Sequence, residues 1–256
     1  MIKKLIINSG TYHLILILRN VVKTPLIFFK IFFKSIFEKP YRLFNFKIKA
    51  PFRLDNNLLA NFNTHFNCFG IGNYELSEKY LIEKYLDSKD SVLELGGCLG
   101  VISLITNRIL YNKKNHVVLE IDSEKYKYLK HNKITNKAEF YCCNGALSID
   151  DDLFYESGIG IWGGNAKSIG TDKERVVAYT IKDLETKYKL VFNTLIMDIE
   201  GGELELFKTF EIKQFNKIIF ENHYANDENL EIENILKSND FNLIERVGKV
   251  EFWKKD

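Results

Sequence analysis

The residues of this chain that could do chemistry are Glu94, Glu120, Asn144, Asp198, Glu200, Glu221 and His223, and each closes or follows a short apolar run. Carboxylates attract cations and accept protons, an amide reads polar edges, and a histidine titrates near neutral pH. First among these runs stands the turn Glu94-Leu-Gly-Gly-Cys-Leu-Gly100. Gly96, Gly97 and Gly100 permit a sharp turn and a close backbone approach to a ligand. The helix expected after them presents free N–H groups to that ligand. Twenty residues beyond Gly100, Glu120 ends a second apolar run, where a nucleotide-type site sets a carboxylate on the ribose hydroxyls. The two signals together imply a nucleoside-bearing cofactor.

The spelling of the turn chooses among such cofactors. A dinucleotide site usually reads G-x-G-x-x-G, whereas here a carboxylate ends the strand itself. Glu94 would repel a pyrophosphate and attract the sulfonium and ammonium of S-adenosylmethionine. On that charge ground Gly96, Gly97 and Gly100 are expected to cradle the methionine part, with Glu94 near its ammonium. Glu120 takes the ribose diol, and Asn144 with the backbone of Ala146 takes the adenine edge. Farther along, Asp198, Glu200 and His223 would hold a reacting hydroxyl, which must lose its proton as a C–O bond forms. His223 suits the base by its intrinsic pKa, and Asp198 could serve instead or orient it. For Glu203, in the first turn of a helix, the helix dipole is the simpler account. Tyr74, Trp162 and Glu221 are the candidates on the acceptor side.

These residues need strands to carry them. From about residue 73 the chain alternates helix and strand signals, the pattern of a Rossmann-like, doubly wound, mostly parallel α/β sheet. Strands are expected at Val92–Leu95, Val117–Ile121, Glu139–Cys143, Val176–Ile181, 193–198 and 217–223. Helices are expected over Tyr74–Leu86, Val101–Leu110, Ser123–Ile134 and Glu228–Leu236. Leu243–Val247 and Val250–Trp253 read as a closing hairpin. Asp150–Glu174, rich in glycine around Trp162, reads as a flexible loop that covers the substrate.

The chain has 256 residues, of which 46% are hydrophobic and 27% charged, an ordinary globular composition. The net charge of +2 hides a division, since residues 1–53 carry +10 and the remainder −8. A basic arm on an acidic globule results, and the acidic globule excludes a nucleic-acid substrate. Residues 1–53 are expected to form a basic, Phe-rich helical arm with a lead-in strand from Phe44 to Arg53, and 54–256 the catalytic domain. Residues 11–37 would lie on an anionic membrane surface, or pack on the domain or on a second copy in a homodimer. The longest uncharged run, Leu5–Leu18, falls short of the roughly 20 residues a span requires. No small-x-small cleavage site follows it. Four cysteines without disulfide or zinc spacing fit a reducing compartment. The expected location is therefore cytoplasmic, peripheral on the inner face of a membrane.

The sequence resembles the FkbM-type methyltransferases, a group within the Class I S-adenosylmethionine-dependent fold. The matching stretches are Gly72-Asn-Tyr-Glu75, Val92–Gly100, Val118–Asp122 with Leu129, Asn132 and Asn136, Asp198-Ile-Glu-Gly201 with Glu203, and Glu221-Asn-His223. The resemblance implies O-methylation, with a sugar or surface-glycan hydroxyl as acceptor, or else a small polyketide or phenolic hydroxyl. Cys98 and Glu94 depart from the family's usual Asn and Asp. No dedicated metal triad is evident and no metal ligand is assigned, although Asp198 and its neighbours have the chemistry to hold a divalent ion. A nicotinamide-dependent oxidoreductase or epimerase is the rival class, and the chain lacks a Tyr-x-x-x-Lys pair.

Overall fold

The computed structural model describes residues 41–49, 75–149, 153–157, 164–167 and 174–256. The arm before residue 41, Tyr74 and Trp162 lie outside the described residues. Strands β1 (Tyr41–Leu43) and β2 (Phe46–Ile48) form a hairpin, followed by α1 (Leu76–Tyr85), β3 (Val92–Leu95), α2 (Val101–Ile109), β4 (His116–Glu120), α3 (Ser123–Thr135) and β5 (Tyr141–Asn144). Then come β6 (Ala146–Leu147), β7 (Leu153–Ser157), β8 (Gly164–Lys167), β9 (Glu174–Val176), β10 (Ala178–Tyr179) and α4 (Ile181–Tyr188). The chain closes with β11 (Thr194–Met197), α5 (Glu203–Thr209), β12 (Lys217–Glu221), α6 (Asn226–Ser238), β13 (Phe241–Val247) and β14 (Val250–Lys255).

The main sheet runs in the order β13-β14-β12-β11-β3-β4-β5. Its five strands from β12 to β5 are parallel; β14 runs antiparallel to β12, and β13 at the edge runs antiparallel to β14. This is the doubly wound α/β architecture expected. Side-chain alternation explains it: Val92, Val118, Ile196 and Ile219 enter one core with α1, α2 and α3. Their neighbours Leu93, Val117, Leu195 and Ile218 enter a second core with α4, α5 and α6. Both faces are therefore apolar, as a covered parallel sheet requires.

The strand order reverses between β3 and β11, which makes the crevice above them the switch point where such sheets bind ligands. Register brings Leu95, Leu119, Met197 and Phe220 level across the sheet, with Glu120 opposite Asn144 one residue on. The next row thus holds Gly96, Glu120, Asn144, Asp198 and Glu221, on the face that carries α1–α3.

Three expectations need correction. The lead-in segment is a hairpin, because Phe44 and Asn45 both take positive φ (49° and 72°) in a two-residue turn. Its Leu43 and Ile48 are buried in the α1–α3 core, so residues 41–49 pack with the domain. The stretch 150–174 is not simply a loop, for β7, β8 and β9 form an antiparallel sheet with β7 in the middle. The strand expected over Val176–Ile181 breaks after Tyr179, where Thr180 and Asp183 form a capping box that starts α4. Among the described residues no helix is long and apolar enough to cross a membrane.

Candidate functional site

The glycine turn is held by its surroundings. Gly96 has φ +86°, and a Cβ added there would lie 1.8 Å from the Asp198 carbonyl oxygen, so only glycine lets β3 and β11 end side by side. The N–H groups of Gly96 and Gly97 both donate to the Leu119 carbonyl. Cys98, also at positive φ (44°), donates its N–H to Glu120 Oε2 at 2.6 Å. Burial pushes its thiol pKa up, which keeps it a neutral side chain.

Glu120 is buried, and its other oxygen accepts from the Asp122 N–H at 2.7 Å. Burial raises its pKa, with Lys125 and the two backbone N–H groups acting against the rise. Each carboxylate oxygen keeps a second acceptor direction for a hydroxyl donor. Asn144 donates its amide to the Glu120 and Ile121 carbonyls, which fixes the end of β5 beside Glu120. The Ala146 N–H is already bonded to the Val177 carbonyl, so it is not free to read a base edge in this arrangement.

Glu94, expected near a cofactor ammonium, lines the cleft at the strand ends and also has partners inside the protein. Its carboxylate is 2% exposed; one oxygen accepts from Ser103 Oγ and the other lies 2.9 Å from His116 Nε2. Both oxygens are engaged inside the protein, one pleat below Gly96.

Further acidic groups gather at the ends of β11 and β12. His223 Nδ1 lies 2.8 Å from Glu203 Oε1, while Nε2 faces Glu200 Oε2 at 3.5 Å and Asp198 Oδ1 and Glu221 Oε1 at 3.8 Å each. Glu203 is wholly buried and also accepts from the Gly201 N–H, so it orients the imidazole, a role beyond the dipole account. That hydrogen bond pushes His223 up to about 9 against the effect of burial. Desolvation, then the charges of Glu221 and Glu200, push Asp198 up to about 7 although the histidine opposes it. Asp198 Oδ1 is buried without a hydrogen-bond partner.

Sequence reasoning missed Glu78 of α1. Burial raises it to about 7, and it shares a hydrogen bond with Glu221. Nothing in its spacing within α1 marks it, because its partner comes from a strand 143 residues later. Two overlapping sets, Asp198–Glu200–His223 and Glu78–Asp198–Glu221, have ligand atoms within 4.8 Å of one another and could hold a metal ion. A small cleft opens here, lined by Glu78, Gly96, Gly97, Asp198 and Glu221 among others, with no Lys or Arg in its described lining. Carboxylates gathered beside a glycine turn favour a cationic ligand and oppose a diphosphate. Glu94, Gly96, Gly97, Asp198 and Glu221 are thus brought together around one cleft, and Glu200 and His223 adjoin it through Asp198.

Solved structures similar to this chain include the ribosomal protein L11 methylase of Lactobacillus delbrueckii subsp. bulgaricus, 14% identical, covering 73% of this chain and 81% of that one with a TM-score of 0.42. Another is an O-methyltransferase from Bacillus cereus in complex with SAH, 12% identical, covering 79% and 92% with a TM-score of 0.45. No curated protein matches the chain. The model of the methyltransferase FkbM domain matches residues 52–243, a span that takes in the glycine turn and the acidic strand ends alike. By that match the chain belongs to the FkbM methyltransferase family.

Proposed function

We propose that this methyltransferase transfers the methyl group of S-adenosylmethionine, the donor of its family, to a hydroxyl of a sugar or glycan. Family membership sets aside the nicotinamide-dependent rival. The observation that carries the reading is the acidic row at the strand ends, with Asp198 held near neutrality beside the glycine turn. When bound, the donor supplies an electrophilic methyl on a cationic sulfur. Gly96 and Gly97 would admit it closely, and Glu120 would accept from its ribose hydroxyls.

On the acceptor side the roles of the histidine and the aspartate exchange. His223, raised to about 9, keeps its proton at neutral pH, held between Glu203 and three other carboxylates. Asp198, raised to about 7, is the group whose proton affinity matches the working pH, so it takes the proton from the attacking hydroxyl. Glu200 and Glu221 offer acceptors for further hydroxyls, which suits a sugar better than a phenol. Tyr74 and Trp162 retain their assignment to the acceptor side, and the basic segment 11–37 supports placement at an anionic membrane surface.

The test combines calorimetry with S-adenosylhomocysteine and transfer of labelled methyl groups to sugars, glycans and phenols. Binding together with label in carbohydrate products is expected. No heat at millimolar ligand contradicts the donor assignment, and transfer to phenols alone moves the function to small-molecule acceptors. Removal of residues 1–37 is expected to abolish binding to anionic liposomes while S-adenosylhomocysteine affinity stays unchanged; a change of oligomeric state instead favours the packing role for the arm.

A further inference from the structure

One face of α3 touches both the β1–β2 hairpin and the glycine turn. Asn136 accepts from the Lys47 N–H and donates to the Lys47 carbonyl, each at 2.8 Å. Four residues earlier, Asn132 accepts from the Lys49 N–H at 2.8 Å and donates to the Lys49 carbonyl at 2.9 Å. Four residues of helix rise about 6 Å, close to the roughly 6.7 Å of two strand residues, so an i, i+4 pair of amides can serve alternate positions of one strand edge. The pair thus closes the edge of β2 that faces away from β1.

Asn132 does more than Asn136. Its second amide hydrogen goes to the Leu99 carbonyl at 2.9 Å, and its side chain is wholly buried. Leu99 lies between Cys98, whose N–H is held by Glu120, and Gly100, which begins α2. Three residues before Asn132, Leu129 packs so closely under Gly100 that an added Cβ would meet its Cδ1 at 2.7 Å. The strand ends therefore fix the start of the turn, and α3 fixes its finish.

We infer that Asn132 is a positioning residue that couples the hairpin to the donor-binding turn through Lys49 and Leu99. This rests on the reading of the glycine turn as the donor site. Loss of the amide frees the Leu99 peptide, and donor affinity falls because the binding-ready turn is no longer the single populated form. Linkage makes the effect reciprocal, so a bound donor tightens the Lys49 clamp.

The experiment measures S-adenosylhomocysteine affinity and thermal stability for wild type, Asn132→Ala and Asn136→Ala. Both variants are expected to melt earlier, but only Asn132→Ala weakens binding, by about tenfold, with Asn136→Ala within twofold. Equal affinities in all three, or equal losses in both variants, overturn the coupling. Absence of binding by wild type overturns the donor reading itself, a distinguishable failure. Should Asn132→Ala not fold, hydrogen exchange on the wild type decides: saturating S-adenosylhomocysteine is expected to slow exchange of the Lys49 amide about tenfold. An unchanged Lys49 rate overturns the proposal.

Discussion

Glu94 and Asp198 sit on neighbouring parallel strands and each faces a histidine, yet the two sites are balanced in opposite ways. Glu94 meets one histidine and one hydroxyl, and all three groups are buried. Asp198 shares His223 with Glu200, Glu203 and Glu221, in a cluster open to the cleft. In the first site both carboxylate oxygens are engaged and the result is cohesion between β3, β4 and α2. In the second, carboxylates outnumber the cation, and burial together with that excess pushes protons back onto Asp198 and Glu78. The same residue types serve structure where they are satisfied and chemistry where they are left unbalanced.

The largest effect expected from breaking this contrast is on turnover. Asp198→Asn should lower methyl transfer by about 10²–10⁴-fold, with S-adenosylhomocysteine affinity within about threefold, as measured by single-turnover kinetics and calorimetry. Glu94→Gln should do the reverse. It breaks a buried pair and should cost about 3 kcal/mol of stability in denaturant unfolding while donor affinity changes little. A large loss of affinity without loss of stability would return Glu94 to the cofactor.

A smaller effect is the pH dependence of the rate. With Asp198 held at about 7, the rate should rise through that pH and be lower by about tenfold one unit below it. Glu78→Gln removes one of the charges that raise Asp198 and should shift the rising limb to lower pH.

The smallest effect is on stability against pH. An acid whose folded pKa is raised binds its proton more tightly when folded, so its contribution to stability is lost as pH rises from about 4 to about 7. His223, raised to about 9, contributes fully below its ordinary value and loses that contribution as pH rises through 9. Asp198→Asn should therefore melt above wild type beyond pH 7, and the gap should close toward pH 4.

Much of this molecule is legible in its sequence. The alternation of apolar runs and helical segments identifies the sheet, and the polar residue ending each run identifies the row of polar groups at the strand ends. The histidine beside Glu94 is not legible because register sets it: His116 pairs with Val92, on the same face two residues from Glu94, and spacing along the chain does not reveal which strands are neighbours. Glu203 and Glu78 elude sequence reasoning for the same reason, since helices carry them to His223 and Glu221 across the fold. The hairpin reads as one strand because a phenylalanine at positive φ gives no turn signal.

Burial first, and then the neighbouring carboxylates, hold Asp198 near neutrality, and the proposed chemistry of the site depends on it. Carboxyl ¹³C NMR on aspartate-labelled protein, with the resonance assigned by its absence in Asp198→Asn, measures this directly without need of an acceptor. A titration midpoint of about 7 is predicted; a midpoint near 4, that of an ordinary solvated aspartate, would contradict the account.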